Sequence, residues 1–375
     1  MNDLSAGAEL ASKLVGFDTI NPPGAERACI EYIAARFKEP VFETAVYDFG
    51  PGRANLVVRL PATKASRKPL VFSGHVDTVP LGHAEWSVPP LAGLVKEGRL
   101  FGRGSSDMKS GIAAFIAATL QFAELPDRNA DVVLVISAGE ETGSEGAAWL
   151  AARPELLGDC GALIIAEPTG NRPMVGHKGA LWMYLSFDGV TAHGSMPQHG
   201  VNAVAKACKA VLNLSAFDFN VAPHPVMGQP TLNVGTISGG LNVNSVPDHA
   251  VVGLDVRTVE GQRNGDVLEQ VAAQLPDARV EPFVDLEPVY TPPDHPWLRH
   301  VFQTVEQVTG QSPTVETASY FTDASILKPV FNAPPTVILG PGPIEMAHQT
   351  DEYCDISNID RCVDIYVLLG CDYLT

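Results

Sequence analysis

The chain has 375 residues, 45% of them hydrophobic, with 34 glycines, 30 prolines and a formal net charge of −18. That length exceeds what one hydrophobic core usually organises and predicts about two domains. The acidic balance argues against nucleic acid or an anionic membrane surface as partner.

At the N-terminus Leu10, Leu14 and Val15 recur at helical spacing, with no basic segment leading into an apolar core. The expectation is a surface helix and not a signal peptide. No run approaches the roughly 18 apolar residues that a membrane span needs. The six cysteines are scattered and form no CxxC pair. This favours a reducing cytoplasm and inert thiols.

Further along, "PLVF" (69–72) reads as a strand and "KSGIAAFIAATLQFAEL" (109–125) as a helix, with Ile112, Phe115, Ile116, Thr119 and Leu120 on one stripe. "DVVLVIS" (131–137) and "ALIIA" (162–166) are continuous apolar strands, as is the later "PTVILG" (335–340). Such runs suit strands buried on both faces of a mainly parallel sheet, so the fold class is α/β, a three-layer α/β/α domain. The middle differs, with partly alternating strands at 181–189, 231–240 and 249–258 and a helix over 199–214. That helix places Val201, Val204, Ala205, Cys208, Val211 and Leu212 on one face. A helix over 264–275 and a strand near "RVEPF" complete an inserted α+β unit. The expected division is 1–178 with 293–375 for the larger domain and 179–292 for the insert.

In open α/β sheets, sites form at the carboxyl ends of the strands. Beyond "PLVF" lie His75 and Asp77, beyond 131–137 lie Glu140 and Glu141, and beyond "ALIIA" lies Glu167. A loop after 335–340 leads to His348, and Asp107 stands just ahead of the helix at 109. Singly, each has an ordinary reading. Asp107 suits a helix N-cap, Glu140 and Glu141 a solvated loop, Glu167 a turn before proline, and His348 a packed loop position. Together these five places hold two histidines and several carboxylates, the ligand set that suits zinc or a similar divalent ion.

The segments "SGHVDTVP", "GRGSSDMKSG", "GEETGSEG", "EPTG", "HGSMPQHGVNA" and "GPGPIEMAHQTDEY" together resemble the di-zinc aminoacyl hydrolases. These are the enzymes of the acetylornithine deacetylase, succinyl-diaminopimelate desuccinylase and glutamate carboxypeptidase type. The similarity covers nearly the whole chain in the family's order, although "YFTDAS" (320–325) departs from it. The resemblance implies that His75 and Glu167 bind one zinc ion and Glu141 and His348 another, with Asp107 bridging. Cobalt or manganese would be able to substitute. It further implies a cis peptide between Asp107 and Met108. Charge is consistent with the ligand set: three ionised carboxylates and two neutral imidazoles leave one positive charge beside two zinc ions, which a hydroxide would balance. Asp77 would orient the His75 imidazole, and Glu140, free of metal, would act as general base.

For the insert the resemblance implies a lid and dimerisation domain whose His193 reaches across a homodimer to the substrate carbonyl. Asn244 and Arg257 are the further lid candidates, with Lys178 a weaker one. Gly340 and Gly342 would let the backbone approach the ligand. The implied reaction is hydrolysis of the amide of an N-acyl amino acid, acetylornithine-deacetylase-like. A carboxypeptidase or dipeptidase is the alternative, and a non-catalytic binding homologue the rival from another class. The partner is then a small N-acyl amino acid or dipeptide.

Overall fold

The computed structural model describes residues 4–375. The chain forms two compact units: one of the chain up to Gly176 with Tyr290–Ala318 and Thr322–Thr375, the other of His177–Val289 with Ser319–Phe321.

The first unit is built on four parallel strands in the order Val132–Ser137, Leu70–His75, Ala162–Ile165 and Thr336–Ile338. Every residue of these strands is buried, as continuous Val, Ile and Leu runs require when both faces of a sheet are covered. The Leu70–His75 strand runs beyond the apolar stretch, so His75 is its last residue. An antiparallel hairpin, Glu43–Gly50 and Arg53–Leu60, extends the sheet beyond Val132–Ser137. The helix Lys109–Phe122 packs on Leu70–His75 and against the helices Ala6–Val15 and Ile356–Leu374. It is buried over nearly its whole circumference, whereas Leu120, expected on its inner stripe, is exposed.

The second unit is a four-stranded antiparallel sheet in the order Thr231–Gly239, His249–Arg257, Ala180–Asp188, Ala278–Leu286. Leu181, Met183, Leu185 and Phe187 alternate onto one face and meet the helices Ala203–Leu214 and Asn264–Gln274. Asn202 caps the first of these helices by accepting 2.9 Å from the Ala205 N–H. Its buried residues are Ala203, Ala207, Ala210 and Leu214, whereas Val201, Cys208 and Leu212, expected on the inner face, are exposed. Alanine lets the helix approach the sheet closely, while Val204 and Val211, also expected on the inner face, pack partly buried against the same core.

Candidate metal centre

His75, 1% exposed, closes its strand with the imidazole aimed past the sheet's carboxyl edge. Its Nδ1 lies 3.0 Å from the Asp77 carbonyl oxygen and 3.5 Å from Asp77 Oδ1. A proton on Nδ1 donated to that carbonyl leaves Nε2 with a free lone pair. Nε2 stands 3.3 Å from Asp107 Oδ1 and 3.5 Å from Glu167 Oε1, with Glu140 Oε2 at 3.9 Å.

Asp107 is not the helix cap that its position allowed. Met108 occupies the cap position, without a side-chain capping bond, and the Asp107–Met108 peptide is cis. The Asp107 carboxylate instead divides between the histidines, with Oδ2 lying 3.4 Å from His348 Nε2. His348 Nε2 is also 3.2 Å from Glu141 Oε2. Unlike His75, His348 is half exposed, on a loop residue with φ of 64°.

Two carboxylates without an expected anchoring role hold these loops. Asp77 does more than face His75: it accepts the backbone N–H of Glu140 at 3.1 Å and of Glu141 at 3.2 Å. Asn21 adds its side-chain amide to Asp77 at 3.0 Å and to Thr142 Oγ1 at 2.9 Å. Glu352, fully buried, accepts the N–H groups of Gly104, Ser106 and Asp107 at 3.0, 2.7 and 3.0 Å. Its charge is met by the buried guanidinium of Arg103 at 2.8 Å. Glu352 sits inside "AHQTDEY", so the motif carried the signal for it without showing its partner.

Burial penalises every charge in this cluster, and the neighbours decide each outcome. For Asp107 burial is outweighed by His348 and His75, which hold its carboxyl below the usual range. For His75 burial is outweighed by Glu167, Asp107 and Asp77, which raise it well above 6.5. Asp107 and Glu141 push His348 up to about 10. Burial raises Glu167 to about 8, and raises Glu141, each reinforced by Asp107. Burial also lifts Glu140 well above the carboxylate range, with Glu167, Glu141 and Asp323 adding to it and His75 opposing.

The residues fit a divalent metal pair. His75 Nε2, Asp107 Oδ1, Glu140 Oε1 and Glu141 Oε1 are buried and have no hydrogen-bond partner among the described residues. Buried polar atoms without partners are costly, and cations in their midst would satisfy them. Donor atoms of His75, Asp107 and Glu141 lie within 4.8 Å of one another, as do those of His75, Glu140 and Glu167. Proximity alone therefore admits Glu140 as a donor, and the two histidines with their carboxylates form a set typical of zinc.

Residues 71–370 match peptidase family M20/M25/M40. The chain belongs to that family. It is 35% identical over 297 residues, 76% of this chain and 75% of the relative, to acetylornithine deacetylase of Edwardsiella ictaluri. Its fold resembles an M20 family metallo-carboxypeptidase of Sulfolobus solfataricus, with TM-score 0.82, 17% identity and 99% of each chain covered. It also resembles a dinuclear metal-binding M20 peptidase of Bacillus subtilis, with TM-score 0.73 and 14% identity over 98% of this chain and 97% of that one.

In this M20/M25/M40 chain the two glycines of "LGPG" play a packing part. A Cβ on Gly340 would meet the Ala166 and Glu167 carbonyl oxygens at 2.3 and 2.5 Å. One on Gly342 would meet Ser106 O at 2.3 Å. The space that a side chain would take at either glycine is filled by protein backbone. These glycines let the 340–342 loop lie against the segments that carry Glu167 and Asp107.

His193, Asn244, Lys178 and Arg257 all lie in the second unit. His193 is exposed, its Nδ1 lies 2.7 Å from Ser195 Oγ, and the neighbouring Gly194 N–H donates 2.7 Å to the Asn244 carbonyl. Lys178 donates to the Gln229 carbonyl, and burial with the nearby Arg257 charge lowers its pKa. Arg257 already engages Asp255, through Nε at 2.8 Å and Nη2 at 3.2 Å, beneath the Trp182 ring. Trp182 Nε1 donates to the same Asp255 carboxylate at 2.8 Å.

Proposed function

We propose that this protein hydrolyses the amide bond of N-acyl amino acids in an acetylornithine-deacetylase-like reaction. The observation that carries the reading is the divided Asp107 carboxylate, one oxygen toward His75 and the other toward His348. His75 and Glu167 would hold one divalent cation and Glu141 and His348 a second, with Asp107 shared. The donor set favours zinc, with cobalt or manganese able to substitute. When bound, such a pair supplies the positive charge that acidifies water and polarises a scissile carbonyl.

Glu140 does the proton work. Its Oε1 is buried and has no hydrogen-bond partner among the described residues, and its environment raises its affinity for a proton. It takes a proton from the attacking water as the new C–O bond forms, then gives it to the amine nitrogen as the C–N bond breaks. Asp77 orients His75 and holds the Glu140 backbone. In the second unit Arg257 is the group suited to the substrate carboxylate, with His193, Asn244 and Lys178 as further binding groups. The identity to an acetylornithine deacetylase supports deacylation, and the fold shared with a carboxypeptidase favours peptide hydrolysis as the second reading.

The assembly that fits is a homodimer through the second unit. Thr231–Gly239 is an edge strand, and Ile237, Leu241, Val243 and Leu212 are exposed on the same unit. Six unpaired cysteines suit a cytoplasmic setting. Among the described residues no helix is long and apolar enough to cross a membrane.

The test is a hydrolysis screen of zinc- and cobalt-loaded protein over N-acetyl-ornithine, other N-acetyl and N-succinyl amino acids, and dipeptides. Turnover of N-acyl amino acids above dipeptides is the expected result. Preference for dipeptides establishes the peptidase reading. Absence of metal-dependent turnover on every substrate refutes both.

A further inference from the structure

The loop that carries Glu140 and Glu141 begins at Ser137, the last residue of its strand, and ends at Ser144, just ahead of the helix Glu145–Ala151. Within it the Gly143 and Ser144 N–H groups both donate to the Glu140 carbonyl, at 2.9 and 3.0 Å. Asp77 takes the N–H groups of Glu140 and Glu141 from one side. On the other side stands Asp323, a carboxylate that the proposed chemistry does not use. It lies in "YFTDAS", the stretch that departs from the family pattern.

Asp323 is 2% exposed and makes no capping bond to the helix Ala324–Val330 that it precedes, so helix capping does not explain it. The Ser137 hydroxyl donates to its Oδ2. That hydroxyl has a single proton and a second, weaker acceptor in the Gly74 carbonyl at 3.3 Å. Asp323 Oδ1 and the Ser144 hydroxyl are both buried with no hydrogen-bond partner among the described residues. Burial raises the Asp323 pKa, and the Ser137 hydroxyl, acting as a donor, and the nearby His75 pull it back. The carboxylate therefore holds the first residue of the loop through Ser137. Ser137 also pairs with His75 in the parallel register, and its carbonyl accepts the Val76 N–H at 3.0 Å. The same anchor thus ties the loop to the strand that presents His75.

We propose that Asp323 is a positioning residue for Glu140, anchoring the 137–144 loop at Ser137 so that the carboxylate stays aimed at the reacting water. The proposal rests on the reading of Glu140 as general base, and its physical basis is preorganisation. A misplacement of about 1 Å in a reacting group is enough to cost about 100-fold in rate.

The experiment compares Asp323→Ala, Asp323→Asn and Ser137→Ala in the full-length metal-loaded protein. Amide hydrogen exchange is read alongside kcat, KM and metal content. In Asp323→Ala the amides of Glu140, Glu141, Gly143 and Ser144 should exchange at least about tenfold faster, with those of 132–136 unchanged, because only the clamped loop opens. Its kcat on an N-acetyl amino acid should fall by about 10–100-fold, with KM and metal content nearly unchanged. Asp323→Asn keeps a side-chain oxygen for the Ser137 hydroxyl and should restore most of both readouts. Ser137→Ala should reproduce part of the loss, and serves if Asp323→Ala does not fold. Unchanged loop exchange in Asp323→Ala and Ser137→Ala overturns the proposal. So does faster exchange spread evenly over the unit, which marks Asp323 as a general structural prop. If the unsubstituted protein turns over no N-acyl amino acid, the functional reading fails by itself, and the exchange measurement still decides whether Asp323 clamps the loop.

Discussion

The carboxylate of Asp77 accepts a hydrogen bond of 3.1 Å from the backbone N–H of Glu140. One residue thereby joins the strand end that presents His75 to the loop that presents Glu140. Because Asp77 also accepts from Glu141 and Asn21, truncation strands the Glu140 and Glu141 N–H groups and leaves the Asn21 amide with Thr142 alone. Each buried unsatisfied group costs about 1–3 kcal/mol. Asp77→Ala should therefore lower stability by several times the cost of an ordinary surface substitution, read by urea denaturation, and reduce kcat. Asp77→Asn, which keeps one acceptor oxygen, should lie between. Equal stability of Asp77→Ala and the unsubstituted protein contradicts this role.

Glu140→Gln keeps the shape of the side chain and removes its basicity. Loss of a general base typically lowers rate by about 10²–10⁴-fold. The expected result is a fall of that size in kcat with two metals per chain retained on elemental analysis. Loss of metal in step with activity makes Glu140 a ligand, a role that its proximity to His75 and Glu167 also permits.

Metal and pH should act together on stability. In the metal-free protein Glu167 titrates near 8, above its ordinary 4.5, and His348 near 10, above 6.5. Both shifts are upward, so each contributes stability that is fully present below the unfolded value and is lost as pH rises through the folded one. The metal-free protein should lose stability between pH 4.5 and 8 from Glu167 and between pH 6.5 and 10 from His348. Metal requires these groups deprotonated, so its stabilising effect should grow over the same range. Thermal unfolding with chelator and with zinc, at pH 5, 6.5 and 8, should give melting temperatures that diverge as pH rises. A constant difference is the contrary result.

Glu352 holds the 104–107 backbone and neutralises Arg103 where both side chains are at most 2% exposed. Removing one member of a buried pair typically costs about 3–5 kcal/mol, because the other charge is stranded. Glu352→Ala should show a loss of that order in chemical denaturation and weaken metal retention through Asp107. Wild-type zinc content in a folded Glu352→Ala protein counts against the link between Glu352 and Asp107.

Arg257 and His193 test the part assigned to the second unit. A hydrogen bond to a charged group is worth about 1.5–3 kcal/mol, so Arg257→Ala should raise KM by about 10–150-fold without loss of metal. Since Asp255 already engages this guanidinium, Asp255→Ala should also change KM by disturbing its aim. Mixing His193→Ala with Glu140→Ala subunits should restore turnover if His193 serves the neighbouring subunit of a dimer. Demonstrated subunit exchange with no recovery removes that role.

How much of this was legible beforehand differs residue by residue. The strands of the parallel sheet were readable because an apolar run buried on both faces is a local signature. The residues that follow them, His75, Glu140, Glu141 and Glu167, could be singled out because sheet topology concentrates function at carboxyl ends. The helix 203–214 is legible as an element and its inner face in part: Val204 and Val211 pack against the core as their spacing suggests, whereas closest approach to the sheet selects Ala203, Ala207 and Ala210 over Cys208 and Leu212.

What the sequence by itself determined was the kind of site, through donor types recurring at strand ends. Only the tertiary structure decided how that site is held. Asp107 and Glu352 meet across 245 residues, and Ser137 and Asp323 across 186. Asp107 could have capped a helix, and nothing local shows that Gly340 and Gly342 pack against the segments that carry Glu167 and Asp107. Their actual parts depend on which backbone lies against them. Spacing along a chain records helix and strand periods, because those arise from neighbours in sequence. It carries no distance between segments that only the packed sheet brings together, and there the clamps on Glu140 and Asp107 arise.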